Sequence, residues 1–253
     1  MEGGDKLPRA AEAVASVIFN HRSIRRYRKE GIPEEHVRLL IEAARRAPTD
    51  GSLHLWTAIR VKNPALRRKI ADLIGQEHVG EAPEFFIFIA DLYRPTRLVE
   101  HIGGSPAPSG VALFMFAAVD AALAAENMAI LAESLGYGIC FIGGIQSAAK
   151  EIIEMLRLPE NTYPLFGLTV GVPAEDPPRR PRLPGDLLVH VDGYRDYTPE
   201  DLDRALKEMR PISARGWERI LLRYLGERGV FEYRNPYVEG LLRRQGILGR
   251  ARD

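Results

Sequence analysis

Between Gly110 and Leu135 the chain carries a helix-length stretch that is apolar on nearly every side, and no other feature limits its possible folds as strongly. A helix without a polar face must be hidden, either inside a domain or at a subunit interface. Its most apolar run, Val111 to Ala125, contains Asp120 and is followed by Glu126, which reads as too short and too interrupted for a bilayer span. The expectation is therefore a soluble protein with no membrane contact. With 253 residues, 45% of them hydrophobic, the chain can bury a substantial core as one large domain or two small ones. A formal charge of +1 exerts no global pull toward nucleic acid or anionic lipid. The single cysteine, Cys140, cannot form an intramolecular disulfide, and its apolar neighbours Ile139 and Phe141 mark it as a buried structural thiol, which fits a reducing cytoplasm.

Around this stretch, helical and strand patterns alternate. The periodicity predicts helices over 9–20, from Pro33 to the Ala47-Pro48-Thr49-Asp50-Gly51 stop, over 64–74, 110–135 and 150–156, and strands over 55–62, 84–90, 138–142 and 162–170. After Gly185 only helical candidates remain, at 199–208, 216–226 and 236–244, rich in arginine and punctuated by Gly and Pro. The pattern predicts an α+β sandwich with a mixed sheet covered by helices.

Three short segments add chemistry. His21-Arg22-Ser23-Ile24-Arg25 is echoed downstream by Arg180-Pro181-Arg182-Leu183-Pro184, and Phe141-Ile142-Gly143-Gly144 lies between them. A fixed phosphate requires guanidinium forks, a hydroxyl and exposed backbone N–H groups, and these segments contain all three. Taken singly, each also reads as a solvated turn, a strand end or an extended linker. His54, His78, His101 and His190 are scattered without metal-ligand spacing and read as packing or surface residues.

The order of these segments, joined by Ala132-Glu133-Ser134-Leu135-Gly136-Tyr137-Gly138, Leu158-Pro159 and Pro164-Leu165-Phe166-Gly167-Leu168 through Gly171 and Pro173, resembles the FMN-dependent nitroreductase family. The likeness covers most of the chain and points to the NADPH-dependent branch of oxygen-insensitive nitroreductases and NADPH:flavin oxidoreductases. It implies an FMN-binding core over 1–190 and a helical extension over 191–253 that packs on the core or on a partner subunit. It also implies a cytoplasmic homodimer that binds no nucleic acid. The implied activity is ping-pong hydride transfer from NADPH through FMN to small acceptors: nitroaromatics, quinones or free flavin. Within the same likeness a dedicated NADPH:FMN reductase or a non-catalytic FMN-binding protein are the alternatives.

Carried over residue by residue, the resemblance assigns FMN to His21, Arg22, Ser23, Ile24 and Arg25, to Thr49 in place of a common serine, and to Gln76 after a one-residue gap. It adds Phe141, Ile142, Gly143 and Gly144, with Phe141 replacing a common tyrosine, and Arg180, Pro181 and Arg182 at the phosphate and the pyrimidine end of the ring. No side chain is implied as a nucleophile or metal ligand, because the chemistry resides on the flavin. For the 2′-phosphate of NADPH it implies Arg234, just before Asn235-Pro236, and Arg215 ahead of Trp217, with Arg210 as a rival.

Overall fold

The computed structural model describes residues 7–249. Helices α1 (Arg9–Phe19) and α2 (Glu34–Arg45) come first, each entered from a proline, Pro8 and Pro33, that fixes the backbone just outside the first turn. Next are β1 (Trp56–Arg60), α3 (Pro64–Ile74), the short α4 (Glu77–Glu81), β2 (Glu84–Asp91), α5 (Tyr93–His101), α6 (Val111–Ser134), β3 (Gly138–Ile142), α7 (Ala149–Leu156) and β4 (Thr162–Gly171). The last helices are α8 (Pro199–Met209), α9 (Trp217–Leu225) and α10 (Val230–Arg244). Local signals explain the sharpest boundaries. Asn63 caps α3 by accepting N–H groups from Ala65 and Leu66, Pro64 opens it, and Gly75 at φ 64° closes it.

The four strands run in the order β1-β2-β4-β3, and every ladder is antiparallel. The fold is α+β as expected, but the parallel component of the expected mixed sheet is confined to one bridge, between Ser23 and Ile139. All eight residues of β2 are buried, because helices cover both faces of the sheet. Phe86 and Phe88 face the alanines of α6, Ala121, Ala124 and Ala125. Phe85, Ile87 and Ile89 face the opposite way, toward Ile70 and Ile152.

Helix α6 runs on to Ser134, further than its most apolar run, and by length and composition it could cross a membrane. Its packing shows another use. Ala117, Asp120, Ala121, Ala124, Ala125 and Met128 form its buried face. There the carboxylate of Asp120, 1% exposed, accepts the backbone N–H groups of Asp50 and Leu55, each at 3.0 Å. A buried carboxylate is tolerated because it is hydrogen-bonded, and it fixes both ends of a turn in which Gly51, Ser52 and His54 all take positive φ. Arg94 of α5 pins the same turn from the other side, donating to the carbonyls of His54 and, at 2.8 Å, Trp56.

The chain forms two compact units. One holds the residues up to Pro177 together with those from Val238 on; the other is Pro178–Tyr237.

Candidate functional site

The basic segment at the start of the chain is extended, and that conformation decides what each residue does. Ile24 donates its N–H to Ile139 O at 2.8 Å, Arg28 donates to Val172 O at 2.8 Å, and Ala174 donates to Arg26 O at 2.9 Å. The segment is thus held between β3 and the residues after β4. Tyr27 reinforces it, donating its hydroxyl to Ile24 O at 2.6 Å beside Thr169 Oγ1 at 2.8 Å. Burial pushes the Tyr27 phenol well above its ordinary pKa, so it stays neutral. Over residues 22–25 successive side chains of this extended segment point to opposite sides, which separates Arg22 from Arg25.

On one side, Ile24 is buried against Gly138, and Arg22 pairs with Asp176 while donating to Asn20 O at 2.9 Å. His21 Nδ1 meets Glu133 Oε1 at 2.8 Å. Arg22, Glu133, Tyr137 and Asp176 line a recess of about 430 Å³, and the Tyr137 hydroxyl is bonded to His36 Nδ1 at 2.6 Å. The charged groups named on this side are matched within the chain.

On the other side, Ser23, Arg25, Arg26, Gln76, His78 and Glu175 line an open recess of about 840 Å³, within the usual size range for ligand sites. Among the described residues the Ser23 hydroxyl, the Arg25 guanidinium and the Gln76 amide have no hydrogen-bond or ion-pair partner. Glu175 is committed, its Oε1 accepting the backbone N–H groups of Arg25 at 2.6 Å and Arg26 at 3.1 Å. It holds the backbone on which the Arg25 side chain is mounted. His78 contributes no cation near neutral pH, since burial, reinforced by the charge of Arg25, lowers its pKa.

The Phe141–Gly144 segment adjoins this recess through Gln76: a Cβ placed on Gly144 would lie 2.5 Å from Gln76 Nε2. Gly143 has open space where its Cβ would be. The Phe141 ring, 38% exposed, is supported by Phe166 at a centroid distance of 5.7 Å, and Ile142, the next residue of the strand, is buried in the core on the other face. The structure therefore brings Ser23, Arg25, Gln76 and Gly144 together. His21, Arg22 and Ile24 do not line the larger recess, and neither does Thr49, which precedes the pinned turn at Asp50–Ser52. Arg180, Pro181 and Arg182 belong to the second unit, as do Arg215 and Arg234. Arg215 lies in a cleft with Ser213 and Arg219, and the Arg234 guanidinium sits 5.8 Å from the centre of the Phe231 ring. Glu175 and Asp176 are the positions the sequence reading missed. Their signal was two acidic residues just ahead of Pro177-Pro178 that complement the basic segment.

The model of the family described as Nitroreductase family matches residues 18–172. The chain is 39% identical over 186 residues to the FMN reductase (NADPH) of Bacillus subtilis, covering 72% of this chain and 75% of that protein. To the oxygen-insensitive NADPH nitroreductase of Salmonella typhimurium it is 36% identical over 190 residues, covering 74% and 77%. Among solved structures it is similar to the NADPH:FMN oxidoreductase from Vibrio harveyi complexed with NAD+, with a TM-score of 0.86 at 28% identity over 94% of this chain and all of that one.

Proposed function

The chain belongs to the nitroreductase family, and from that premise we propose that it is an NADPH-dependent oxidoreductase that binds FMN in the recess of Ser23, Arg25 and Gln76. It passes hydride to small acceptors: nitroaromatics, quinones or free flavin. The observation that carries this reading is the set of uncommitted donors in one recess. A phosphate dianion requires a guanidinium and hydroxyl that are not already spent on the protein, and Arg25 and Ser23 meet that condition whereas Arg22, paired with Asp176, does not.

FMN, when bound, supplies reversible two-electron chemistry, and the chain's residues do the rest. Arg25 and Ser23 would hold the phosphate, with Glu175 fixing the backbone of Arg25 and Arg26. Gln76 and the backbone of Gly143 and Gly144 would hold the ring edge. Arg180 and Arg182 are assigned by family likeness to the phosphate and the pyrimidine end, where a positive charge favours the reduced ring. Arg215 and Arg234 are assigned to the 2′-phosphate of NADPH. The flavin recess belongs to the unit that ends at Pro177, short of the expected boundary at 190, and the residues from Val238 on belong to that unit and not to the extension.

The recess is open, so donor and acceptor use it in turn. Steady-state assays with NADPH against nitrofurazone, a quinone or free FMN should give parallel double-reciprocal lines. Fastest turnover with free FMN would mark a dedicated flavin reductase, and a yellow protein that leaves NADPH unoxidised would reduce the reading to flavin binding alone.

The working form is a homodimer in the cytoplasm. Opposite the alanine face of α6 lies a stripe of exposed Val111, Met115, Phe116, Val119 and Leu123, an apolar face of the kind that marks an interface. Sedimentation at micromolar concentration should show a dimer, and Val119→Asp should shift it toward monomer. A monomeric wild type with full activity would contradict this assignment.

A further inference from the structure

One ring in the larger recess finds no partner within the chain. His78 lines that recess beside Ser23, Arg25, Gln76 and Glu175, and its Nε2 is buried without a hydrogen-bond partner. His190 Nε2 is in the same state, but the other nitrogen of that ring, Nδ1, accepts the Arg195 N–H at 3.0 Å. Among the described residues the His78 side chain makes neither a hydrogen bond nor an ion pair. A partly buried imidazole with both nitrogens unbonded costs stability, and a group from outside the chain is what would satisfy it.

The backbone holds the ring in this position. Gly75, at φ 64°, turns the chain out of α3, Gln76 donates its N–H to Ala71 O at 2.9 Å, and Ala82 donates to His78 O at 3.0 Å. Val79, fully buried, anchors α4 in the core. The charged groups of the recess come from three places: Arg25 and Arg26 from the extended segment, Glu175 from the stretch after β4, and Glu77 and Glu81 from α4 itself. Within the chain alone, burial and the charge of Arg25 hold the His78 pKa below its ordinary value, outweighing the carboxylates of Glu175 and Glu81. An anion held by Arg25 acts the other way, offsetting the guanidinium charge and bringing acceptor oxygens into the recess. Burial of Nε2 is common to both states and drops out of the comparison. His78 therefore binds a proton more readily once the anion is in place.

We propose that His78 makes capture of the flavin phosphate a proton-coupled step: one proton from solvent joins the imidazole as the phosphate settles on Arg25 and Ser23. The proposal rests on the reading of this recess as the FMN site and adds its regulation by pH. By linkage, FMN affinity gains as pH falls from the higher, anion-bound pKa of His78 to the lower, anion-free one, and His78 contributes nothing above that window. The ordinary histidine value of about 6.5 places the window around and below neutrality. The cofactor is held more firmly in an acidified cell.

Calorimetric titration of the flavin-free chain with FMN, in buffers that differ in protonation enthalpy, tests this. At about pH 6.5 the wild type should take up about 0.3 to 1 proton per FMN more than His78→Gln, whose side chain does not titrate. The FMN phosphate, with a second pKa of about 6, sheds protons equally with either protein and cancels in the difference. Between about pH 8 and about pH 6 the wild type should gain at least about threefold in FMN affinity over the variant. Riboflavin, which lacks the phosphate, should show neither difference. His78→Asn should repeat the result, with far-UV circular dichroism unchanged. FMN binding with the same proton count in the wild type and both variants overturns the coupling and leaves the flavin site standing. An equal difference with riboflavin overturns the phosphate as its cause. A chain that binds no FMN at any pH overturns the reading of the recess, and the coupling with it.

Discussion

Replacing Gly138 by alanine should destabilise the protein and empty its flavin site together. A Cβ at Gly138 would stand 2.6 Å from Ile24 Cγ1, 2.7 Å from its Cβ and 2.9 Å from its Cγ2. Ile24 cannot give way. It is β-branched and stiff at χ1, it is 5% exposed, and its backbone is bonded to Ile139. The new methyl group therefore pushes the extended segment off the edge of β3, and overpacking of this kind costs about 1–3 kcal/mol. The displacement carries Ser23 and Arg25 with it, so FMN affinity falls with stability. Gly143→Ala is the matched control, since open space surrounds its Cβ position. It should leave the unfolding midpoint unchanged while weakening FMN through the lost close approach of the backbone. Thermal melts and flavin fluorescence titrations read the two effects separately. A Gly138→Ala protein with native stability and full FMN content would show that the 22–28 segment is not held as described.

What the sequence made legible was local. Helix α3 reads cleanly because its cap, its opening proline and its closing glycine are all within the element. Helix α5 was missed because its N-terminal bond comes from outside: Asp91, the last residue of β2, accepts the Arg94 N–H at 2.9 Å. Helix α10 starts at Val230 rather than at Pro236 because Pro236 reads as an opening signal yet lies inside the helix. Strand registry depends on contacts between distant residues, so the antiparallel order β1-β2-β4-β3 left no mark that periodicity could detect. The role of Asp120 was hidden for the same reason, its two partners lying 65 and 70 residues away in the chain. The composition of the site was legible as a motif, but its geometry was not. Arg22 and Arg25 look equivalent in sequence, and only the extended backbone with its alternating sides assigns one to Asp176 and leaves the other free.

That separation yields the sharpest expected result at the site. Arg25→Ala should weaken FMN at least about tenfold, the loss expected for one charge-assisted contact, and should leave stability nearly unchanged because the side chain is exposed and unpaired. Arg22→Ala should do much less to FMN. It breaks an ion pair whose acidic partner is 79% exposed, and solvent-screened pairs of this kind contribute about 0–1 kcal/mol. Riboflavin supplies the decisive comparison, since it keeps the ring and lacks the phosphate. Arg25→Ala should leave riboflavin affinity unchanged, so that the difference between FMN and riboflavin narrows in this variant and persists in Arg22→Ala. Equal losses toward both flavins in Arg25→Ala would mean that the residue holds the fold of the recess and not the phosphate. If Arg22→Ala stripped FMN while Arg25→Ala retained it, the phosphate would belong on the other side of the segment, in the recess of Glu133 and Tyr137, and the assignment of the larger recess would be lost.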